Sequence, residues 1–242
     1  MSKGLSTSGR QSFRSESEMR VPVERWLASQ GFLTKSEFVL PWGVCDVVGV
    51  QFRNESAKQR MVFGQTQPVS SLQLIQLLEL MPDRRAVTVA KLRRILAVSG
   101  SSSQLDVDLQ KLKMKRLVSF PRRNQIRKHA PWAPLQRKIV AVEMKLHRVS
   151  AALGQARAHL AFADDSFVAL PDGVAERVIR GSRRQEFLDH GVGLLSVFPQ
   201  HARIVLPPRS RPQSSNISRL FQAHCAERFW KMWLTGNASS IT

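Results

Sequence analysis

The chain has 242 residues, 43% of them hydrophobic, with 37 Lys and Arg against 18 Asp and Glu for a formal charge of +19. That length allows one domain or two modest ones, and that apolar content excludes a disordered polymer. The charge argues for a polyanionic partner, nucleic acid before an acidic membrane surface, and says nothing of fold. Residues 1–14 are rich in Ser, Gly and Arg and are read as a disordered leader. They lack the apolar core of a signal peptide, and no run reaches transmembrane length. Residues 15–30 predict a helix, with Met19, Val23, Trp26 and Leu27 on one face and Gly31 as its stop. Pro22 fits such a helix only in the first turn or at a kink. Residues 36–52 predict two strands broken at Pro41-Trp42-Gly43. The second, 44–52, is rich in valine and carries one acid, Asp46.

The composition then shifts. Residues 54–138 hold seventeen Lys and Arg against five Asp and Glu, a net of +12. Amphipathic helices are expected over 69–81 and 88–98, and a third over 101–118 with serines at its start. A short strand at 118–120 and a basic loop at 121–128 follow. Three helices, a strand and a basic loop is the order of a winged helix-turn-helix, so 55–137 is read as an inserted domain that grips duplex DNA. Ser102 and Gln104 lie at the start of the third helix, where phosphate and base-edge contacts are made. Lys111, Lys113, Lys115 and Arg116 lie near its end, and Arg122, Arg123 and Arg127 on or beside the wing. The rival reading is a solvated basic face or a protein-binding winged helix. Residues 68–130 are expected to fold and bind duplex DNA alone.

An apolar run resumes at 138–148, KIVAVEMKLHR. A helix is expected over 150–162, a buried strand at 165–171, a helical region at 171–190, and two last strands at 191–199 and 202–208. Residues 207–242 read as a Pro/Ser/Arg linker and one amphipathic helix, 217–234, offering a surface to a protein partner or a second copy. Cys45 and Cys225 match no metal-finger spacing and read as reduced thiols in a cytoplasmic protein.

Side chains alternate along a strand, so Val140, Val142, Met144 and Leu146 share one face and Ala141, Glu143 and Lys145 the other. A carboxylate and an ammonium thus project together. Asp46, alone in its apolar strand, is costly to bury unless it meets a cation or a partner. The ordered set of Glu18, Asp46, Glu143-Met144-Lys145 and Gln155-Ala156 resembles the PD-(D/E)XK nuclease superfamily, over roughly 15–54 and 138–206. The resemblance implies an α/β fold, a restriction-endonuclease-like central mixed sheet flanked by helices, and the winged helix is read as an insertion between the two catalytic strands. It implies a Mg²⁺-dependent endodeoxyribonuclease, with Mn²⁺ as a substitute, in which Asp46 and Glu143 bind the metal. Lys145 would assist the attacking water, and Glu18 (with Glu24 as rival) and Gln155 would support the site. Two departures stand out: Cys45 replaces the family's proline before the aspartate, and about eighty residues separate strands usually joined by a hairpin. The competing readings are a structural ion pair between Glu143 and Lys145, a non-catalytic DNA-binding regulator on a nuclease-like core, and a partner-recruiting component.

Overall fold

The computed structural model describes residues 13–83, 85–97, 104–129, 132, 134–209 and 216–237. A 3₁₀ turn (Glu16–Met19) leads into α1 (Arg20–Ser29), β1 (Leu33–Leu40) and β2 (Gly43–Phe52). Next come α2 (Asn54–Val62), α3 (Leu72–Leu80), β3 (Val87–Thr88), α4 (Val89–Ala97), α5 (Leu105–Met114), β4 (Val118–Arg122) and β5 (Gln125–Lys128). The chain continues through β6 (Gln136–Met144), α6 (Val149–His159), β7 (Asp165–Pro171), α7 (Asp172–Arg180) and α8 (Arg183–His190). It closes with β8 (Gly193–Val197), β9 (Ala202–Leu206), α9 (Asn216–Glu227) and α10 (Trp230–Asn237). Among the described residues no helix is long and apolar enough to cross a membrane. There are two compact units, one from Met1–Gly49 and Val140–Arg211, the other from Val50–Ile139 and Pro212–Thr242.

The first unit is mixed α/β, built on a six-stranded sheet of order β1-β2-β6-β7-β8-β9. Strands β6, β7 and β8 run parallel, and β9 is antiparallel to β8. Central parallel strands are covered on both faces and read as continuous apolar runs, and β7 is buried from Asp165 to Leu170. The alternation in β6 sorts its side chains. Val140, Val142 and Met144 pack with Met19, Val23 and Leu27 of the N-terminal helical segment, and with Phe167. The opposite face of β7, Val168 and Leu170, packs with Ala152 and Ala156 of α6, Val178 of α7 and Phe187 of α8. Each Val, Leu, Phe or Met among them, fully buried, stabilises the fold by roughly 1.5–3 kcal/mol, and each Ala by less. Pro22 is the third residue of α1, in the first turn, where its missing N–H has no intrahelical role. The helix therefore starts at Arg20 behind a 3₁₀ turn and needs no kink.

The second unit holds α3, α4 and α5 over an apolar core that includes Leu74, Leu78, Leu92, Leu109, Leu112 and Ile126. Its three-stranded antiparallel sheet has the order β3-β5-β4. The basic stretch 121–128 is not the expected loop: it completes β4, turns at Arg123-Asn124 and returns as β5. Asn124 turns the chain at φ 62°, in the left-handed region that asparagine tolerates, and Ile126 is fully buried. One apolar residue among arginines is too weak a signal to mark that strand. The helix α2 had no sequence signal either, because its polar composition presents no apolar stripe.

The expected C-terminal helix is two helices, α9 and α10, and both belong to the second unit. Ala223 joins the core of α3 to α5. Trp230 and Trp233 stack on each other and on Phe52. Arg60 of α2 pairs with Glu227 of α9 in the interior. The apolar face that the sequence offered to a partner is thus buried within the chain, and the second unit extends beyond the expected 55–137.

Candidate functional site

The parallel run of β6 ends at Met144, and Lys145 N–H still donates to the Ala169 carbonyl of β7 at 3.1 Å. This fixes the backbone on both sides of Glu143 and Lys145. β2 lies next to β6, and Asp46 Oδ2 accepts the Met144 N–H at 2.6 Å. The Lys145 ammonium then lies 2.7 Å from Glu143 Oε1, 3.5 Å from Glu16 Oε2 and 3.9 Å from Asp46 Oδ2. It also donates to the Met144 carbonyl at 3.1 Å. One cation thus sits among three carboxylates. Their side chains run from interior to surface: Glu143 is 1% exposed, Asp46 21% and Glu16 43%.

Burial sets the electrostatics. Desolvation pushes the Glu143 carboxyl up to about 7; the Lys145 hydrogen bond opposes it and the Asp46 charge adds to it. Asp46 is also raised, by desolvation first, against the opposing Met144 N–H and Lys145. Burial disfavours the Lys145 ammonium, but Glu143, Asp46 and Glu16 together outweigh it and hold its pKa above the ordinary lysine value. Cys45, buried beside Glu143 and Asp46, is held as a neutral thiol by desolvation and by both acids.

Three of the five expected catalytic residues, Asp46, Glu143 and Lys145, come together. Glu18 does not. It is exposed, and its Oε2 accepts the Arg14 N–H at 2.8 Å. Glu16 takes the place expected of it, with Oε1 3.4 Å from the Leu146 N–H. A 3₁₀ turn has three residues per turn, so Glu16 shares a side with buried Met19 and Glu18 does not. Gln155 is exposed on α6 and forms no hydrogen bond to the cluster among the described residues. His159, one turn further along α6, is the group in the field of Lys145. Burial, then that ammonium, lowers its pKa to about 4. No sequence spacing marked Glu16 or His159.

The expected DNA-binding positions fall into three groups. Ser102 lies outside the described residues. Gln104, Lys113, Arg116, Arg122, Arg123 and Arg127 are exposed. Lys113 lies 5.6 Å over the Phe120 ring. Lys111 is half-exposed and paired with Asp108 at 3.0 Å. Lys115 is partly buried and already engaged, donating to the Pro68 carbonyl at 2.9 Å and to Gln67 Oε1 at 3.3 Å.

Among the described residues no three His, Cys, Asp or Glu side chains are gathered as a metal cage. The donors nonetheless suit a hard cation. Asp46 and Glu143 present oxygen, and Glu143 Oε2 is buried without a hydrogen-bond partner. Magnesium keeps several waters and is commonly held by one or two carboxylates.

No family model and no curated protein matches the sequence. Among solved structures the chain is similar to the SPO1766 protein of unknown function from Silicibacter pomeroyi, at 13% identity over 94% of each chain and a TM-score of 0.41.

Proposed function

We propose that the chain is a metal-dependent DNA endonuclease of the PD-(D/E)XK type. The observation that carries this reading is the convergence of Asp46, Glu143 and Lys145 from adjacent strands on one largely buried point that opens to solvent on the side of Glu16. A bound Mg²⁺ or Mn²⁺ would supply a Lewis acid and a water of lowered pKa. Asp46 and Glu143 are the residues that would hold it. Lys145 is placed to meet negative charge that develops on a phosphate oxygen, the role in which a fixed donor contributes most. Cys45 stands in place of the family's proline, with its buried thiol against the Val47 and Val142 carbonyls at 3.4 and 3.6 Å.

The second unit would grip the duplex. Helices α3, α4 and α5, followed by the β4–β5 hairpin and closed by β3, have the order of a winged helix-turn-helix. Arg122 and Arg123 at the hairpin tip and Arg127 on β5 are exposed, as phosphate contacts require. Incubating the purified protein with linear and branched DNA plus Mg²⁺ tests the assignment: metal-dependent strand cleavage supports it.

The 2.7 Å contact of Lys145 with Glu143 favours one other reading, a structural ion pair on a non-catalytic DNA-binding protein. The two differ in what mutation does. A structural pair loses stability when either partner is removed, by roughly 3–5 kcal/mol, and no variant changes a cleavage rate because there is none.

A further inference from the structure

Beyond Lys145 the chain turns outward at His147, and a groove opens over the carboxyl ends of β6, β7 and β8. One part, about 330 Å³, is lined by His147, Val174, Arg177 and Arg183 among others. The adjoining part, about 310 Å³, shares His147, Val174 and Arg177 and reaches Asp172 and Phe198. His147, Arg177 and Arg183 are exposed, and none forms an ion pair with an acid among the described residues. The acid that lines the groove is already engaged: Asp172 Oδ1 accepts from Ser196 at 2.8 Å and lies 3.5 Å from Arg203. The groove therefore carries unbalanced positive charge at the strand ends, where open α/β sheets hold their ligands.

The geometry points to a phosphate track for the nucleic-acid strand flanking the cut, with Arg177 and Arg183 contacting successive backbone phosphates and His147 marking the approach to Lys145. It rests on the reading of Glu143 and Lys145 as the point of cleavage. Guanidinium groups suit this task because they pair bidentately with phosphate and stay charged at all relevant pH. The surface is distinct from the basic hairpin of the second unit and would position the strand, where that hairpin supplies grip.

The test uses the full-length protein in EDTA, so that binding is read without cleavage. The salt dependence of affinity for a labelled duplex is measured for wild type, for Arg177→Gln with Arg183→Gln, and for the charge-matched pair Arg157→Gln with Arg180→Gln. Residues 157 and 180 lie outside the groove lining. Each phosphate contact contributes about 0.9 to the slope of log affinity against log salt. The groove pair should lower that slope by about 1.8, and the control pair by less than half as much, with Tm unchanged in both. Equal slopes for groove and control pairs would overturn the track. Cleavage of the same duplex in Mg²⁺ is scored separately: a selective loss of slope in a protein that never cuts keeps the groove and removes the endonuclease reading.

Discussion

At the residue scale, the proposed cleavage gives separable roles to Asp46 near the start of β2, to Glu143 at the end of β6 and to Lys145 just beyond it. Glu143→Gln and Asp46→Asn keep volume but remove a carboxylate, so each should abolish cleavage while DNA binding persists. Lys145→Ala should slow cleavage on the order of 10²–10³-fold, the usual cost of losing one electrostatic donor. Glu16→Gln should reduce activity and Glu18→Gln should not, because only Glu16 reaches Lys145 and the Leu146 N–H. Rates and melting temperatures on the same variants check this; a melting loss without any wild-type cleavage would restore the ion-pair reading. The pH dependence has a definite sign. The Glu143 carboxyl is raised from 4.5 to about 7 in the folded protein. Its contribution to stability is complete below the unfolded value and is lost as pH rises through the folded one. His159 has the opposite sign, lowered from 6.5 to about 4, so its contribution is lost as pH falls. The Tm of wild type minus that of Glu143→Gln cancels the histidine. In EDTA this difference should fall between pH 4.5 and above 7, and a flat difference would show that Glu143 is not desolvated. Glu143 and Lys145 were legible as a pair because strand alternation is a strict two-residue period, whereas Asp46 stood out only as a lone acid and joined them through the family resemblance. Glu16 was not, because a 3₁₀ turn and an α-helix read alike over four residues yet point Glu18 in different directions.

At the scale of elements, two contacts decide whether neighbouring segments stay together. Arg60 and Glu227 are fully and almost fully buried, and Glu227 also accepts the Val69 N–H at 2.8 Å. Glu227→Gln leaves the Arg60 charge buried without its partner, so it should cost roughly 3–5 kcal/mol. Replacing both by apolar residues of similar volume should recover much of that loss, as chemical denaturation will measure. In the sheet, Gly193 opens β8. A Cβ there would meet the Phe167 ring at 2.5 Å and Pro208 Cδ at 3.0 Å. Gly193→Ala should therefore destabilise by about 1–3 kcal/mol through overpacking, seen as a lowered Tm with DNA affinity unchanged. Most strands and helices could be read from apolar periodicity, including β7, whose bounds match the expected 165–171. The elements that escaped include β3, only two residues long, and α2 and β5, whose stability comes from tertiary burial: Arg60 and Ile126 are each 0% exposed, and neither belongs to an apolar pattern.

At the scale of the whole molecule, the second unit is assembled from both an internal segment and the chain's end. Residues 68–130 alone would lack Arg60, Ala223 and Glu227, so that fragment should fold poorly in isolation, contrary to what its helical pattern alone suggests. Removing 56–134 would likewise take Arg60 and the Val69 N–H from Glu227, and the Gln65 carbonyl from Trp230 Nε1. Deleting 56–134 together with 212–242 should leave a soluble first unit, since long insertions cost little closure entropy. Deleting 56–134 only should leave an aggregating one, and gel filtration separates the two outcomes. The C-terminal contribution could not be read because an amphipathic helix declares that it has an apolar face but not what covers it. The claim on which the account turns is that Asp46, Glu143 and Lys145 form a hydrolytic centre. Its most direct test is nicking of supercoiled plasmid by wild type and Glu143→Gln, each with Mg²⁺, Mn²⁺ or EDTA. Nicking or linearisation by wild type with either metal, absent in EDTA and absent in the variant, is the predicted result. Intact plasmid in every lane with folded wild-type protein, or equal cutting by wild type and variant, would contradict it.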